Sequence, residues 1–343
     1  MPDEFPKDTP AQMIDIPADL AGLRLDQALV RLLPQYSRSR LQGWIESGDL
    51  VVDGRKPRSR DRVVGGERVA LLAHYEADNR VLAEDLDLDV IHKDKGIFVV
   101  NKPAGMVVHP GAGNPRGTMQ NALLSLDPAL AKVPRAGIVH RLDKDTSGLL
   151  VVARTPAAHA ALVSALAERE IERSYRAVCV GVMSGGGTVD AKIGRHRTQR
   201  IKMAVRPDGR ESITHYRLEE RFRAHTLARV ELETGRTHQI RVHLAHIGFP
   251  IVGDPVYGGR RQRPAGASPE LIATLDAFKR QALHAARLAL AHPVSGKALE
   301  FEAPLPKDMQ TLIRGLRKDW EIVQAEPQSA AQQRILKRSR RRG

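Results

Sequence analysis

The sequence predicts an α+β protein, with a small helical module in front of a larger domain built on a largely antiparallel sheet. Two observations carry this expectation. Short apolar runs rich in β-branched residues recur from position 97 to position 232. Helical spacing appears in only a few segments between and after them. A third observation sets the boundary: residues 76–89 hold six acids and one base, Arg80.

The elements follow in chain order. Residues 1–15 read as an N-terminal extension carrying Asp3, Glu4, Lys7 and Asp8, with no apolar block and so no signal peptide. Residues 16–75 form the small module. Leu25, Leu29, Leu32 and Leu33 share a helical face, and Pro34 ends that helix. Ser37 suits the N-cap of a second helix that buries Leu41, Trp44 and Ile45, and Gly48 is placed to stop it. Residues 50–52 read as a strand, Asp53-Gly54 as a hairpin turn, and residues 63–69 as a further strand.

Arg38 and Arg40 open the second helix, where the helix dipole disfavours cations. Arg55, Lys56, Arg58, Arg60 and Arg62 follow the hairpin. A solvated face is one reading. Ten basic residues against seven acidic ones, concentrated in these two spots, favour phosphate contacts. The acidic stretch 76–89 reads as a solvated linker that repels a polyanion.

Residues 90–325 make the larger domain, with strands expected at 97–100, 149–153, 175–182, 213–218 and 227–232. Thr155 as N-cap and Pro156 at the first position open a helix that runs to about Glu168. A last helix, about 308–323, puts Met309, Leu312, Ile313, Leu316, Trp320 and Val323 on one face. The tail, 326–343, holds six basic and no acidic residues between Arg334 and Arg342 and reads as disordered. It adds non-specific phosphate affinity or serves solubility alone.

The chain has 343 residues, enough for two domains, and a formal net charge of +14. Such an excess points to a polyanion, nucleic acid ahead of an anionic membrane. The single cysteine, Cys179, excludes an intramolecular disulfide and a Cys-x-x-Cys zinc site. No apolar run reaches the roughly twenty residues of a membrane helix, so the cytoplasm is the expected compartment and no membrane partner is expected. The histidines show no metal-ligand spacing, and residues 111–117 lack the spacing of a dinucleotide loop.

Chemistry concentrates in residues 137–153. Asp143 and Asp145, with Arg141 and Lys144, lie between the apolar runs Ile138-Val139 and 149–153, both read as buried strands. They form either a turn whose aspartates bond their own backbone or a loop that carries chemistry. Residues 233–248 make a second constellation. Ile240, Leu244 and Ile247 with Gly248 place 238–247 on a short helix, from which Arg241 points about a hundred degrees away from Ile240. His238 and His243 lack a third ligand of suitable spacing. Tyr175 opens a strand, where packing is its ordinary role.

Three motifs together resemble the RluA family of pseudouridine synthases. They are residues 140–148 (His-Arg-Leu-Asp-Lys-Asp-Thr-Ser-Gly), 101–110 (Asn-Lys-Pro-Ala-Gly-Met-Val-Val-His-Pro) and 235–248, followed by Gly253-Asp254-Pro255-Val256-Tyr257-Gly258-Gly259. Residues 24–29, 37–40 and 51–54 resemble an S4 domain, a small RNA-binding module of the αL type. Residues 16–323 as a whole are similar to the branch of the family that modifies bacterial large-subunit ribosomal RNA.

The resemblance implies an isomerase that breaks the bond from uracil N1 to ribose C1′, turns the base and rejoins it through C5. It implies Asp143 as the carboxylate that starts cleavage, by attack at C1′ or by assisting glycal formation. Arg241 becomes the cation that keeps it ionised against the effect of burial. Tyr175 matches the tyrosine that stacks on the base and is a candidate for proton removal at C5. Arg141 matches the arginine that fills the gap left by the extruded uridine. Arg38, Arg40, Arg55 and Lys56 would anchor RNA. No cofactor and no metal are implied. The partner would be the 23S ribosomal RNA or a precursor of the large ribosomal subunit, met by a monomer with an added role in subunit maturation. A non-catalytic RNA-binding factor and a nucleoside hydrolase are the rivals; the intact Asp143, Tyr175 and Arg241 set argues against the first.

Overall fold

A computed structural model describes residues 11–33, 38–72, 81–111, 113–199, 201–259 and 263–339, with backbone alone for 11, 12, 39, 40, 72 and 326–339. The expected Pro34 stop and Ser37 cap lie outside these residues. The chain divides into two units, Met1–Arg80 and Val81–Gly343.

The first unit contains β1 (Ala11–Asp15), α1 (Leu25–Leu32), α2 (Arg38–Ser47), β2 (Leu50–Val52) and β3 (Arg68–Leu72). Its antiparallel sheet has the order β1-β3-β2. Leu25, Leu29, Leu41, Trp44, Ile45, Leu50 and Val69 build the core between helices and sheet. Val52 and Arg55 exchange backbone hydrogen bonds at 2.9 Å across Asp53-Gly54, the expected turn.

Two expectations change here. The segment read as an extension supplies β1, which pairs with β3 from Ala11 against Leu72 to Asp15 against Arg68. Only that distant ladder makes it a strand; its own five residues carry little apolar pattern. The strand expected at 63–69 begins at Arg68 instead, because Gly65 and Gly66 take left-handed φ of 90° and 86°.

The second unit contains β4 (Asp89–Lys93), β5 (Ile97–Lys102), α3 (Met119–Leu126), β6 (Ser147–Ala153), α4 (Pro156–Ala167), β7 (Glu172–Val180), β8 (Gly187–Asp190), β9 (Ile193–Arg195) and β10 (Met203–Val205). It continues with β11 (Ile213–Arg221), β12 (His225–Leu232), α5 (Gln239–His246), α6 (Pro269–Ala277), β13 (Leu283–Ala291), β14 (Ala298–Glu302) and α7 (Lys307–Ser339). The large sheet runs β4-β5-β6-β13-β7-β12-β11-β8, with β14 also on β13, while β9 and β10 form a separate hairpin. Every pairing in it is antiparallel except β6 with β13. Thr155 caps α4, accepting from the Ala158 N–H at 3.1 Å. Among the described residues no helix is long and apolar enough to cross a membrane.

Three further expectations change. Ile138-Val139 is not a strand: Ile138 makes one isolated bridge to Val152, straight after a left-handed turn at Arg135, Ala136 and Gly137. The acidic stretch is tethered at Leu82 and Glu84, while Asp85, Asp87 and Asp89 stay exposed. Asn121 Nδ2 donates to the Leu82 carbonyl at 2.7 Å, and the Gly117 N–H donates to Glu84 Oε2 at 3.2 Å, beside the N-terminus of α3 where a carboxylate is favoured. Finally, α7 continues through the tail to Ser339. Ala, Gln, Leu, Arg and Lys, all good helix formers, dominate that stretch, which also holds Pro327.

The join between β6 and β13 is close. Gly148 has φ 116°, and a Cβ there would meet the Ala285 carbonyl oxygen at 2.2 Å. Gly148→Ala is expected to cost at least ~3 kcal/mol of stability. A urea unfolding midpoint equal to that of the wild type would show that this contact can relax.

Candidate active site

The loop from His140 to Gly148 is fixed from behind. Lys102, fully buried at the end of β5, donates to the carbonyls of Pro103 (2.8 Å), Met106 (2.9 Å) and Lys144 (3.0 Å). Burial pulls its pKa down to about 7 against the attraction of Asp145 and Asp143. Three carbonyl acceptors require three N–H donors, which only the ammonium form has, so we assign the charged form here. Gly105 N–H donates to the Lys144 carbonyl at 2.9 Å, Arg280 Nη1 to the Asp145 carbonyl at 3.1 Å, and Gln281 Nε2 to Thr146 Oγ1 at 3.1 Å. His140 Nε2 accepts the Val151 N–H at 3.2 Å, so that nitrogen is unprotonated. Burial, with Arg173 adding to it, pushes the His140 pKa down to about 3.

Asp143 meets Arg241 at the open side of this loop. Arg241 Nη1 donates to Asp143 Oδ2 at 2.9 Å, across 98 positions of sequence. The same guanidinium grips Asp254 bidentately, Nε to Oδ2 at 2.7 Å and Nη2 to Oδ1 at 2.9 Å. Asp254 Oδ1 also accepts the N–H groups of Val256 (2.8 Å) and Tyr257 (3.0 Å). Burial opposes the charge of Arg241, but the hydrogen bonds and charge of Asp254, joined by Asp143, outweigh it and raise its pKa. Burial likewise works against the Asp254 carboxylate, and Arg241 more than reverses this, holding it below the usual range. Arg241 also lies 5.0 Å from the Tyr257 ring centroid, a cation–π distance.

Tyr175 sits buried on β7, opposite Val230 of β12 and Ala285 of β13. Burial raises its pKa, with Asp143 adding to the rise and Arg173 opposing it. The ring is a neutral phenol at neutral pH. Arg141 is exposed and has no hydrogen bond or ion pair among the described residues. Lys144 and Asp145 serve the loop through their backbone carbonyls.

In the first unit, Arg38 has a partner that sequence reading missed. It donates to the fully buried Asp26 at 2.7 Å, alongside Arg24 (3.1 Å) and Gln42 (2.8 Å). Burial would raise the Asp26 pKa, and the hydrogen bonds, that of Arg38 first, lower it instead. Arg55 and Lys56 are exposed without such partners among the described residues; the side chain of Arg40 lies outside them.

Lys102, Asp254, Tyr257 and His238 are the site residues that the sequence reading left without a role. Asp254 and Tyr257 lie in a Gly- and Pro-rich turn with no periodicity, where an aspartate ordinarily bonds its own backbone. His243, weighed as a metal ligand, instead faces Thr214 Oγ1 and the Ala191 carbonyl, each at 2.8 Å.

An aspartate loop paired with a buried arginine, together with a buried strand tyrosine, is the set expected of a uridine-modifying RNA isomerase. The chain belongs to the RNA pseudouridylate synthase family, whose model matches residues 96–246, and residues 23–69 match the S4 domain. It is an RNA pseudouridine synthase. It is 54% identical over 314 residues to the ribosomal large subunit pseudouridine synthase D of Xanthomonas campestris, covering 92% of this chain and 95% of that one. The protein of the same name from Pseudomonas aeruginosa is 55% identical, covering 90% and 96%. Among solved structures, human RNA pseudouridylate synthase domain containing 4 matches with a TM-score of 0.52 and 25% identity over 67% of this chain and 93% of that one.

The role of Lys102 is open to direct measurement. Lys102→Met leaves the Pro103 and Met106 carbonyls without a donor and takes one of two from the Lys144 carbonyl, and it is expected to lower stability by about 2 kcal/mol and to reduce turnover through a displaced Asp143 loop. Normal turnover in a folded Lys102→Met protein would remove Lys102 from any part in placing the loop.

Proposed function

We propose that the chain isomerises specific uridines of the large-subunit (23S) ribosomal RNA to pseudouridine, with Asp143 starting cleavage of the glycosidic bond. The 2.9 Å pair between Asp143 and Arg241 carries this reading. The names of the relatives supply the RNA. The reaction breaks N1–C1′ and forms C5–C1′; C5 gives up a proton and N1 gains one. It balances without a redox partner or a group donor.

Either route, attack at C1′ or assistance to glycal formation, needs an ionised carboxylate in a pocket closed to water, which would otherwise hydrolyse the intermediate. Arg241 supplies that carboxylate with a charged hydrogen-bond partner at 2.9 Å. Tyr175 stacks on the uracil: a phenol whose pKa is raised is a poor base for the C5 proton but a flat apolar face. Arg141, exposed and unpaired, fills the gap left by the flipped nucleotide. Arg55 and Lys56, together with Arg40, make the S4 unit an RNA anchor, while Arg38 divides its charge with Asp26. The protein acts in the cytoplasm as a monomer, and binding of the pre-ribosomal substrate extends its role to subunit maturation.

Asp143→Asn is expected to lower pseudouridine formation by about 10⁴-fold or more while leaving RNA affinity and the unfolding midpoint near wild type. Near-normal turnover would sink the assignment of Asp143. Replacing Arg55 and Lys56 by alanine is expected to weaken RNA binding and to reduce its salt slope by about one per contact removed; an unchanged salt dependence would take the S4 anchor away from these two residues. Pseudouridine mapping in cells lacking the protein is expected to lose discrete positions in large-subunit RNA. Losses confined to other RNAs would overturn the substrate.

A further inference from the structure

The imidazole of His238 stands between Asp143 and Tyr257. Its Nδ1 is 2.8 Å from Tyr257 Oη, and its Nε2 is 3.8 Å from Asp143 Oδ1. Tyr257 Oη also accepts the backbone N–H of Met203 at 2.8 Å. A phenol has one proton to give. With Met203 donating in, that proton goes to His238 Nδ1, the acceptor that Oη meets among the described residues. The hydrogen-bond network thus assigns a bare Nδ1 and a protonated Nε2. The Nε2 hydrogen faces the one Asp143 oxygen that Arg241 does not hold.

The backbone supports this placement. His238 has φ 57° and ψ 19°, left-handed and directly before α5. A non-glycine residue holds that conformation at a cost of about 1 kcal/mol. The strain is compensated where it aims a side chain. The two rings meet edge to face, with centroids 5.6 Å apart and planes at 77°.

We propose that His238 is a positioning residue for the isomerisation: its Nε2–H, fixed in tautomer by Tyr257, is the second donor to Asp143 and closes on Oδ1 when RNA fills the site. The proposal rests on the reading of Asp143 given above. At 3.8 Å the contact is longer than a hydrogen bond, and catalytic hydrogen bonds commonly tighten only in the complex. Burial lowers the His238 pKa against the opposing pull of Asp143, so the ring is a neutral donor. A neutral donor orients a carboxylate without surrendering a proton to it. With Arg241 on Oδ2 and His238 on Oδ1, the carboxylate plane is set at both ends.

The test compares His238→Ala, Tyr257→Phe and the double variant in single-turnover conversion of a ribosomal RNA fragment, with RNA affinity measured on the same proteins. Each single variant is expected to slow conversion about tenfold at unchanged affinity. The double variant is expected to be no slower than His238→Ala, because both changes cut one path. His238→Gln, which can offer an N–H near the Nε2 position, is expected to recover part of the rate. Histidine ring ¹⁵N shifts are expected to show the Nε2–H tautomer in the wild type and a mixture in Tyr257→Phe. Multiplying losses in the double variant, a fall in affinity matching the fall in rate, or an Nδ1–H tautomer would each overturn the proposal. Asp143→Asn in the same assay separates the two readings. If it is inactive while His238→Ala runs at full speed, only the positioning role fails; if it is active, the reading of Asp143 itself fails.

Discussion

One guanidinium joins the parts of the site. Arg241 binds two carboxylates from separate segments, Asp254 through two hydrogen bonds and Asp143 through a third. Placing a charge in an interior costs several kcal/mol unless its donors and acceptors are matched. Here the matching is close to complete around Asp254, which also accepts two backbone N–H groups. This requirement fixes much else. The turn at 253–257 must present Asp254 and its amides together. Helix α5 must start where it does, so that Arg241 falls on its buried side. The Asp143 loop must come within one hydrogen bond of the same cation.

The charges in this cluster do not cancel. Two carboxylates face one guanidinium, and the surplus negative charge has a definite location. Asp254 is saturated by four donors, whereas Asp143 holds one hydrogen bond from Arg241 and keeps a partly exposed side chain. Its other oxygen, Oδ1, lies 3.8 Å from His238 Nε2, beyond hydrogen-bond distance. A fixed carboxylate still short of donors suits the cleavage role proposed for Asp143. Asp254 thus occupies two of the donors of Arg241 and leaves one for Asp143.

Local pattern made much of the fold legible. The helices at α1, α2, α4 and α5 follow from periodicity and caps, and the buried runs at β5, β6 and β12 from their β-branched residues. What pattern could not reveal depends on distant pairing. Strand β1 exists through its ladder with β3, and the 81–88 segment is held by Glu84, Leu82 and Asn121 rather than by its composition. The same division applies to the site. Asp143, Arg141 and Arg241 sit in motifs, and Tyr175 is placed by the family resemblance alone; Lys102 also lies in a motif, but nothing there marks its role. Lys102 looks like any lysine at a strand end, and its burial under three carbonyls appears only when the loop folds back over it. Arg38 looked like a free cation, and its engagement with Asp26 depends on two helices meeting.

The site also keeps two kinds of work apart. The charged network of Asp143, Arg241, Asp254 and Lys102 surrounds one carboxylate, with Arg241 hydrogen-bonded to both aspartates and Lys102 attracted by Asp143. Tyr175 belongs to the apolar core with Val230 and Ala285, and burial holds it in its phenol form. A base resting on that ring meets a surface with no charge of its own. Detaching and turning the uracil demands this combination: strong, fixed electrostatics at C1′, and on the base a contact that depends little on which edge faces the ribose. Stacking has that tolerance because it acts through the face of the ring, and hydrogen bonds to particular edge atoms would have to break as the base turns. In the stacking role proposed for it, a buried Tyr175 would serve rotation of the base as well as stability of the sheet.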